Sequence, residues 1–247
     1  MNRYKLSCEE AVATLVLFSK VNQSNSMSQI PKKLTLISIV ASIISWNSAV
    51  AEQISFNDGW TEQTFSLFSS NDFELDGNTL NISSDGTVSI LWKSLPSSMW
   101  ETNQAKWDWA VEASVPPTDL TLKGGDDRNL SIYFLFLPQK YIPKTKVKLT
   151  KLLLNKDARV LMYVWGGSHN PGEILPSPYL GRLGKSIILQ SAGTGTASEK
   201  VNLAIDFRRS FGTEASKLIG IAISADSDDT NSTILASISN VSIQSDP

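Results

Sequence analysis

The feature that most constrains this chain is the period of its apolar residues, which is close to two over most of its length. In Lys106–Ala113, Trp107, Trp109, Val111 and Ala113 fall on one side and Lys106, Asp108, Ala110 and Glu112 on the other. That is the pattern of a strand with one dry face. Ile234–Ile238 alternates in the same way, and the apolar face resumes at Val241 and Ile243. The odd step across Ser239 and Asn240 predicts a bulge. Lys200–Phe207 reads as a further alternating strand, with Val201, Leu203, Ile205 and Phe207 inward. Leu130–Leu137, Val160–Trp165 and Leu218–Ala225 are apolar on both faces, as central strands of packed sheets are. Weaker strands are expected at Thr79–Ser83, Thr87–Trp92 and Ser186–Gln190, with turn clusters such as Asp76-Gly77-Asn78, Gly166-Gly167 and Asn170-Pro171-Gly172 between strands. About ten strands punctuated in this way predict an all-β fold, a jelly-roll-like β-sandwich. One short helical turn is expected within Arg208–Lys217.

The N-terminal part follows a different logic. Lys32 and Lys33 precede an apolar stretch, Leu34–Trp46, and Ala49-Val50-Ala51 offers small residues for cleavage. Residues 27–51 therefore read as a signal peptide cut after Ala51, with a periplasmic or secreted product. The apolar stretch is shorter than the roughly 20 residues a membrane span needs, so no membrane span is expected. Residues 1–26 sit upstream of this signal and read as an over-extended start or leader, with Met27 the expected true start. Residues 52–247 then make a single domain of about 200 residues, ample for one well-filled core.

Charge and residue inventory exclude several functions. Beyond residue 51 there are seventeen Lys and Arg against twenty-two Asp and Glu, the wrong sign for an electrostatic nucleic-acid binder. One Cys (Cys8) and one His (His169) leave no material for a Cys/His zinc site or a Ser–His–Asp triad. Cys8 lies in the expected leader, so the mature domain relies on its core without disulfides. His169 lies in a polar turn and is expected to be an exposed loop side chain. Residues 139–156 are an exception to the acidic balance, holding Lys140, Lys144, Lys146, Lys148, Lys151 and Lys156 with no acid among them. This Lys-rich insert reads as a solvated projection or as a docking surface for an acidic polymer or anionic headgroups.

Five stretches carry a family likeness: Trp107-Asp108-Trp109, Gly125-Asp126-Asp127-Arg128, Tyr163-Val164-Trp165-Gly166, Asp206–Gly212 and Ile221–Thr230. Together they resemble the bacterial domain-of-unknown-function family 3047, over roughly Phe56 to Ile243. The resemblance implies a secreted jelly roll of the general look of carbohydrate-binding modules, and it implies no activity.

Two acidic clusters are the main candidate site. Asp126 and Asp127, followed by Arg128, precede the strand at Leu130–Leu137, and Asp226, Asp228 and Asp229 follow the strand at Leu218–Ala225. If these strands are neighbours of suitable direction, the clusters meet. Gathered carboxylates repel one another and call for a cation or raised pKa values. Asp226, Asp228 and Asp229 are the candidate calcium ligands, in a loop without the glycine and distal glutamate of an EF-hand. The alternative is that these aspartates hold backbone N–H groups in turns. Asp126, Asp127 and Arg128, with Trp165 and Trp100 as aromatic walls, are the candidate ligand-binding set. Three readings stay open: a non-catalytic module binding a glycan or envelope polymer, a glycoside hydrolase or polysaccharide lyase using Asp127 and Asp226, and an envelope structural or docking protein. No oligomeric state follows from the sequence.

Overall fold

The computed structural model describes residues 51–65 and 70–245, apart from 146. The expected leader, residues 1–26 and 27–51, lies outside the described residues except for Ala51. The described residues belong to one compact unit.

Thirteen strands occur among the described residues. In chain order they begin with β1 (Glu52–Gln53), β2 (Trp60–Thr64), β3 (Asp72–Asp76), β4 (Thr79–Asp85), β5 (Val88–Ser94) and β6 (Gln104–Ala113). They continue with β7 (Arg128–Leu137), β8 (Arg159–Trp165), β9 (Ile174–Ser177), β10 (Gly181–Gln190), β11 (Gly195–Asn202), β12 (Lys217–Asp226) and β13 (Thr233–Gln244). One sheet has the order β11-β6-β13-β4-β3, with β1 also paired to β13, and the other has the order β2-β5-β12-β7-β8-β10-β9. Pairings are antiparallel except for β8 with β10. The expected all-β sandwich is the observed fold, with the expected strands extended at their ends and short additional strands at β1, β2, β3 and β9 that the pattern alone does not predict. The bulge expected at Ser239 and Asn240 is present, as a register shift against β6 and a left-handed Asn240 with φ of 54°.

The runs that are apolar on both faces are β7, β8 and β12, neighbours in the middle of the seven-stranded sheet. On their inner face, Leu130, Ile132, Phe134, Leu161, Tyr163, Ile221 and Ile223 meet Trp107, Trp109 and Ile238 of the other sheet in the main core. On their outer face, Tyr133, Leu135, Val160, Met162 and Ala222 form a second apolar cluster with Trp92 and Leu120. This second cluster is covered in part by helix α1 (Leu149–Leu153), whose Leu149 and Leu152 turn inward. The middle of the seven-stranded sheet is therefore dry on two sides, which is why β7, β8 and β12 show no alternation.

One expected strand is a correction. The residues Leu203–Phe207, read as a continuation of the strand at Lys200, open helix α2 (Leu203–Phe211). Leu203 and Phe207 are four residues apart and share one helical face, where both are buried, while Ile205 is exposed. The Asn202 side chain caps the helix by accepting from the Ile205 N–H, and Gly212 closes it in the left-handed conformation. The helical turn expected within Arg208–Lys217 is the second half of this helix, displaced toward the N-terminus.

Candidate functional site

The antiparallel pairing of β7 with β12 brings the two acidic clusters together, because it sets Arg128 directly opposite Asp226. Arg128 Nη1 lies 3.0 Å from Asp126 Oδ2 and 3.0 Å from Asp226 Oδ2. Its Nη2 donates to the Tyr133 hydroxyl at 2.9 Å and its Nε to Ser131 Oγ at 2.9 Å. Tyr133 in turn shares a hydrogen bond with Ser224 across the β7–β12 pair. The guanidinium is thus held on several sides and acts as the hub of the cluster.

The aspartates differ sharply in environment. Asp127 is fully buried, but its carboxylate accepts from the backbone N–H groups of Asp229 and Thr230 and from the Thr230 hydroxyl. These donors lie 102 and 103 positions away in sequence, so Asp127 braces the turn at Asp229 and Thr230 from across the site and makes no local turn of its own with them. Asp226 is also buried, and Arg128 meets only its Oδ2; Oδ1 has no hydrogen-bond partner. Burial, reinforced by the charges of Asp228, Asp127 and Asp126 and opposed by Arg128, pushes the Asp226 carboxyl up to about 8. Burial also raises Asp126 and Asp229 above the usual carboxylate range.

Three carboxylates converge closely enough for a cation. One oxygen each from Asp127, Asp226 and Asp228 lie within 4.8 Å of one another. Oxygens bound to one calcium at about 2.4 Å are at most about 4.8 Å apart, so the spacing fits one shared ion, and the unpartnered Asp226 Oδ1 is a position for a proton or a metal. The expected trio was Asp226, Asp228 and Asp229; the structure gathers Asp127 in place of Asp229, whose N–H instead points at Asp127.

The cluster forms one end of a cavity of about 360 Å³ on the outer face of the seven-stranded sheet. Trp92 and Ile90 of β5, Tyr133 of β7 and Met162 of β8 line its floor, Leu149 and Leu153 of α1 close one side, and Tyr179 stands at the rim. Asp126, Arg128, Asp226, Asp228 and Asp229 line it as well. The aromatic walls expected from sequence are elsewhere. Trp165 is only 4% exposed; it packs edge-on against Trp109 in the main core and donates to the Gly193 carbonyl. Trp100 donates to the Leu95 carbonyl and packs on the outer cluster without reaching the cavity lining. Trp92, Tyr133 and Tyr179 take that role. The signal for Trp92 was its place at the outward parity of β5, opposite the buried Leu91, which shares its strand but faces the main core.

His169 is also better held than expected. Its Nε2 accepts from the Leu120 N–H and lies 3.3 Å from Asp119, while Nδ1 lies 3.5 Å from Glu173. It ties down the segment that carries Leu120 to the cavity wall.

A two-sheet β-sandwich with a polar-ended cavity on the outer face of one sheet is the class this fold and site define. The family model described as "Protein of unknown function (DUF3047)" matches residues 58–242, and the chain belongs to that family. Among solved structures, it is similar to the family 11 carbohydrate-binding module of a cellulosomal cellulase from Clostridium thermocellum. That match has 9% identity over 81% of this chain and 96% of the module, with a TM-score of 0.41. It is also similar to the xyloglucanase domain of NopAA, a type three effector of Sinorhizobium fredii, in complex with cellobiose. Here identity is 11% over 79% of this chain and 98% of that one, with a TM-score of 0.44. No curated protein matches.

Proposed function

We propose that this protein is a non-catalytic binding module, exported to the periplasm or beyond, that takes a glycan of the cell envelope in the outer-face cavity with calcium held at the acidic end. The observation that carries the reading is the lining of the cavity: an aromatic and aliphatic floor that runs into a carboxylate–guanidinium cluster. A sugar ring offers both matching surfaces, C–H faces to the aromatics and hydroxyls to the charged end. The volume of about 360 Å³ falls at the small end of ligand-binding cavities, which suits a short saccharide segment rather than a long chain. Calcium at Asp127, Asp226 and Asp228 would offset part of the negative charge of the cluster, satisfy Asp226 Oδ1 and offer open coordination positions to hydroxyl oxygens.

The hydrolase reading has one observation in its favour, the raised pKa of Asp226 beside a cavity, as a general acid requires. It also needs a second carboxylate free to act as base or nucleophile, about 5–5.5 or 6.5–9.5 Å away. Asp127 is engaged by three donors and Asp126 by Arg128, and the exposed Asp228 brings an oxygen within 4.8 Å of Asp226, shorter than either separation, so binding accounts better for the arrangement. The test is calorimetric titration of residues 46–247 with envelope-derived oligosaccharides, in calcium and in EDTA. Saturable, calcium-dependent binding that is weakened at least tenfold by Tyr179→Ala is expected. Binding to none of them would end the glycan reading. Cleavage of a saccharide that disappears in Asp226→Asn would replace it with the hydrolase.

A further inference from the structure

We infer that the lysine-rich segment between β7 and β8 is a docking surface for an anionic lipid bilayer. The segment has two unlike sides. Toward the sheet, Leu149 and Leu152 of α1 are buried in the outer apolar cluster, and Leu153 lines the cavity. The segment is thus fixed to the body of the protein. Toward solvent stand Lys140, Lys144, Lys148, Lys151 and Lys156, all exposed. No ion pair engages any of them among the described residues; Lys140 lies over the ring of Tyr141, 4.7 Å from its centroid. Uncompensated lysines on a protein whose remaining charge is acidic form a local field of one sign.

A second observation points to lipid in particular. Leu154, immediately after α1, is 85% exposed, the largest value among the exposed large hydrophobic residues, and Tyr141 of the same segment is 38% exposed. Basic residues interleaved with a projecting leucine and a tyrosine are what an interfacial element presents, the cations meeting headgroups while the apolar groups enter the acyl boundary. A soluble acidic polymer would use the lysines and leave Leu154 idle. The acidic loop at Asp226–Asp229 lines the other part of the same cavity and is repelled by an anionic surface, so docking has a preferred orientation with the lysines toward the membrane. The inference is independent of what fills the cavity.

The test is co-sedimentation of residues 46–247, which hold both sheets and both apolar clusters, with vesicles of phosphatidylcholine alone and with about one-third phosphatidylglycerol. Each lysine next to an anionic leaflet contributes about fivefold in affinity. Binding to the anionic vesicles only is expected, lost in roughly 0.5 M salt, where the screening length is only a few ångströms. The triple variant Lys144→Glu, Lys148→Glu, Lys151→Glu should bind at least about a hundredfold more weakly, with an unchanged unfolding midpoint because all three side chains are exposed. Leu154→Ser should weaken binding severalfold without altering the salt dependence. Equal sedimentation with neutral vesicles, none with anionic ones, or wild-type binding by the triple variant would overturn the inference. So would binding to a soluble acidic polysaccharide without binding to vesicles, which would reassign the surface to polyanions.

Discussion

Asp127 and Asp226 show how little residue type decides at the scale of one side chain. Both are buried at the same end of the same sheet, yet one has three donors and the other an unpartnered oxygen. Asp226 binds a proton more tightly in the folded than in the unfolded protein. Its contribution to stability is therefore fully present below the ordinary carboxylate value of 3.8 and is lost as pH rises toward about 8. One such group contributes a slope of at most about 1.4 kcal/mol per pH unit. In EDTA, urea unfolding of the wild type between those limits should show stability falling with pH more steeply than in Asp226→Asn. Parallel profiles would mean that Asp226 is ionised throughout. Asp127→Asn should behave differently, since its amide would face the Thr230 N–H donor to donor. A loss of about 2–3 kcal/mol is expected, read as a lower urea midpoint at every pH.

At the scale of elements, legibility follows the number of constraints acting on each segment. Lys106–Ala113 was readable because one face meets the core and the other meets water, and the period records both. The meeting of the acidic clusters was readable only as a condition, since strand neighbours are set by sheet topology and not by local pattern. Leu203–Phe207 misled because apolar residues at 201, 203, 205 and 207 satisfy a period of two, while 203 and 207 alone satisfy a helix. Asn202 and Gly212, the caps, were the deciding residues. The placement of Trp165 failed for a related reason: a residue at the end of a strand on a sheet with two dry faces has no polar side to reveal its direction. The cavity was hidden for the same reason, because its floor and the main core are written in the same apolar residues. Gly220 of β12 shows what the floor requires. A methyl group there would stand 1.9 Å from the Trp92 ring, so Gly220→Ala must displace that ring. Overpacking of about 1–3 kcal/mol is expected, together with loss of cavity ligand binding. Unchanged stability would show that the Trp92 ring has room to move. By contrast, Asn202→Ala should cost about 1 kcal/mol through the lost cap and leave binding untouched.

At the scale of the whole molecule, the cavity and the main core are two faces of one sheet, so what binds outside must be felt inside. Strands β7, β8 and β12 contribute to both apolar clusters, and the acidic end is built on the first residue of β7 and the last of β12. Unfolding the outer face without the inner one would require those strands to leave the sandwich. Heat should therefore unfold residues 46–247 in a single transition, and a cation bound by the folded state alone should raise its midpoint without splitting it. Calcium at a hundred times its dissociation constant stabilises by about 2.7 kcal/mol. For a domain of this size that is a shift of about 5–10 °C. Asp228 is the informative position because its side chain is exposed and it belongs to the converging trio. Asp228→Asn should not lower the midpoint in EDTA, since it removes a charge that repels Asp226 and Asp229, and should remove most of the calcium shift. A wild-type midpoint that calcium does not move would return all three carboxylates to turn and ion-pair roles and leave Arg128 as the counter-charge of the cluster.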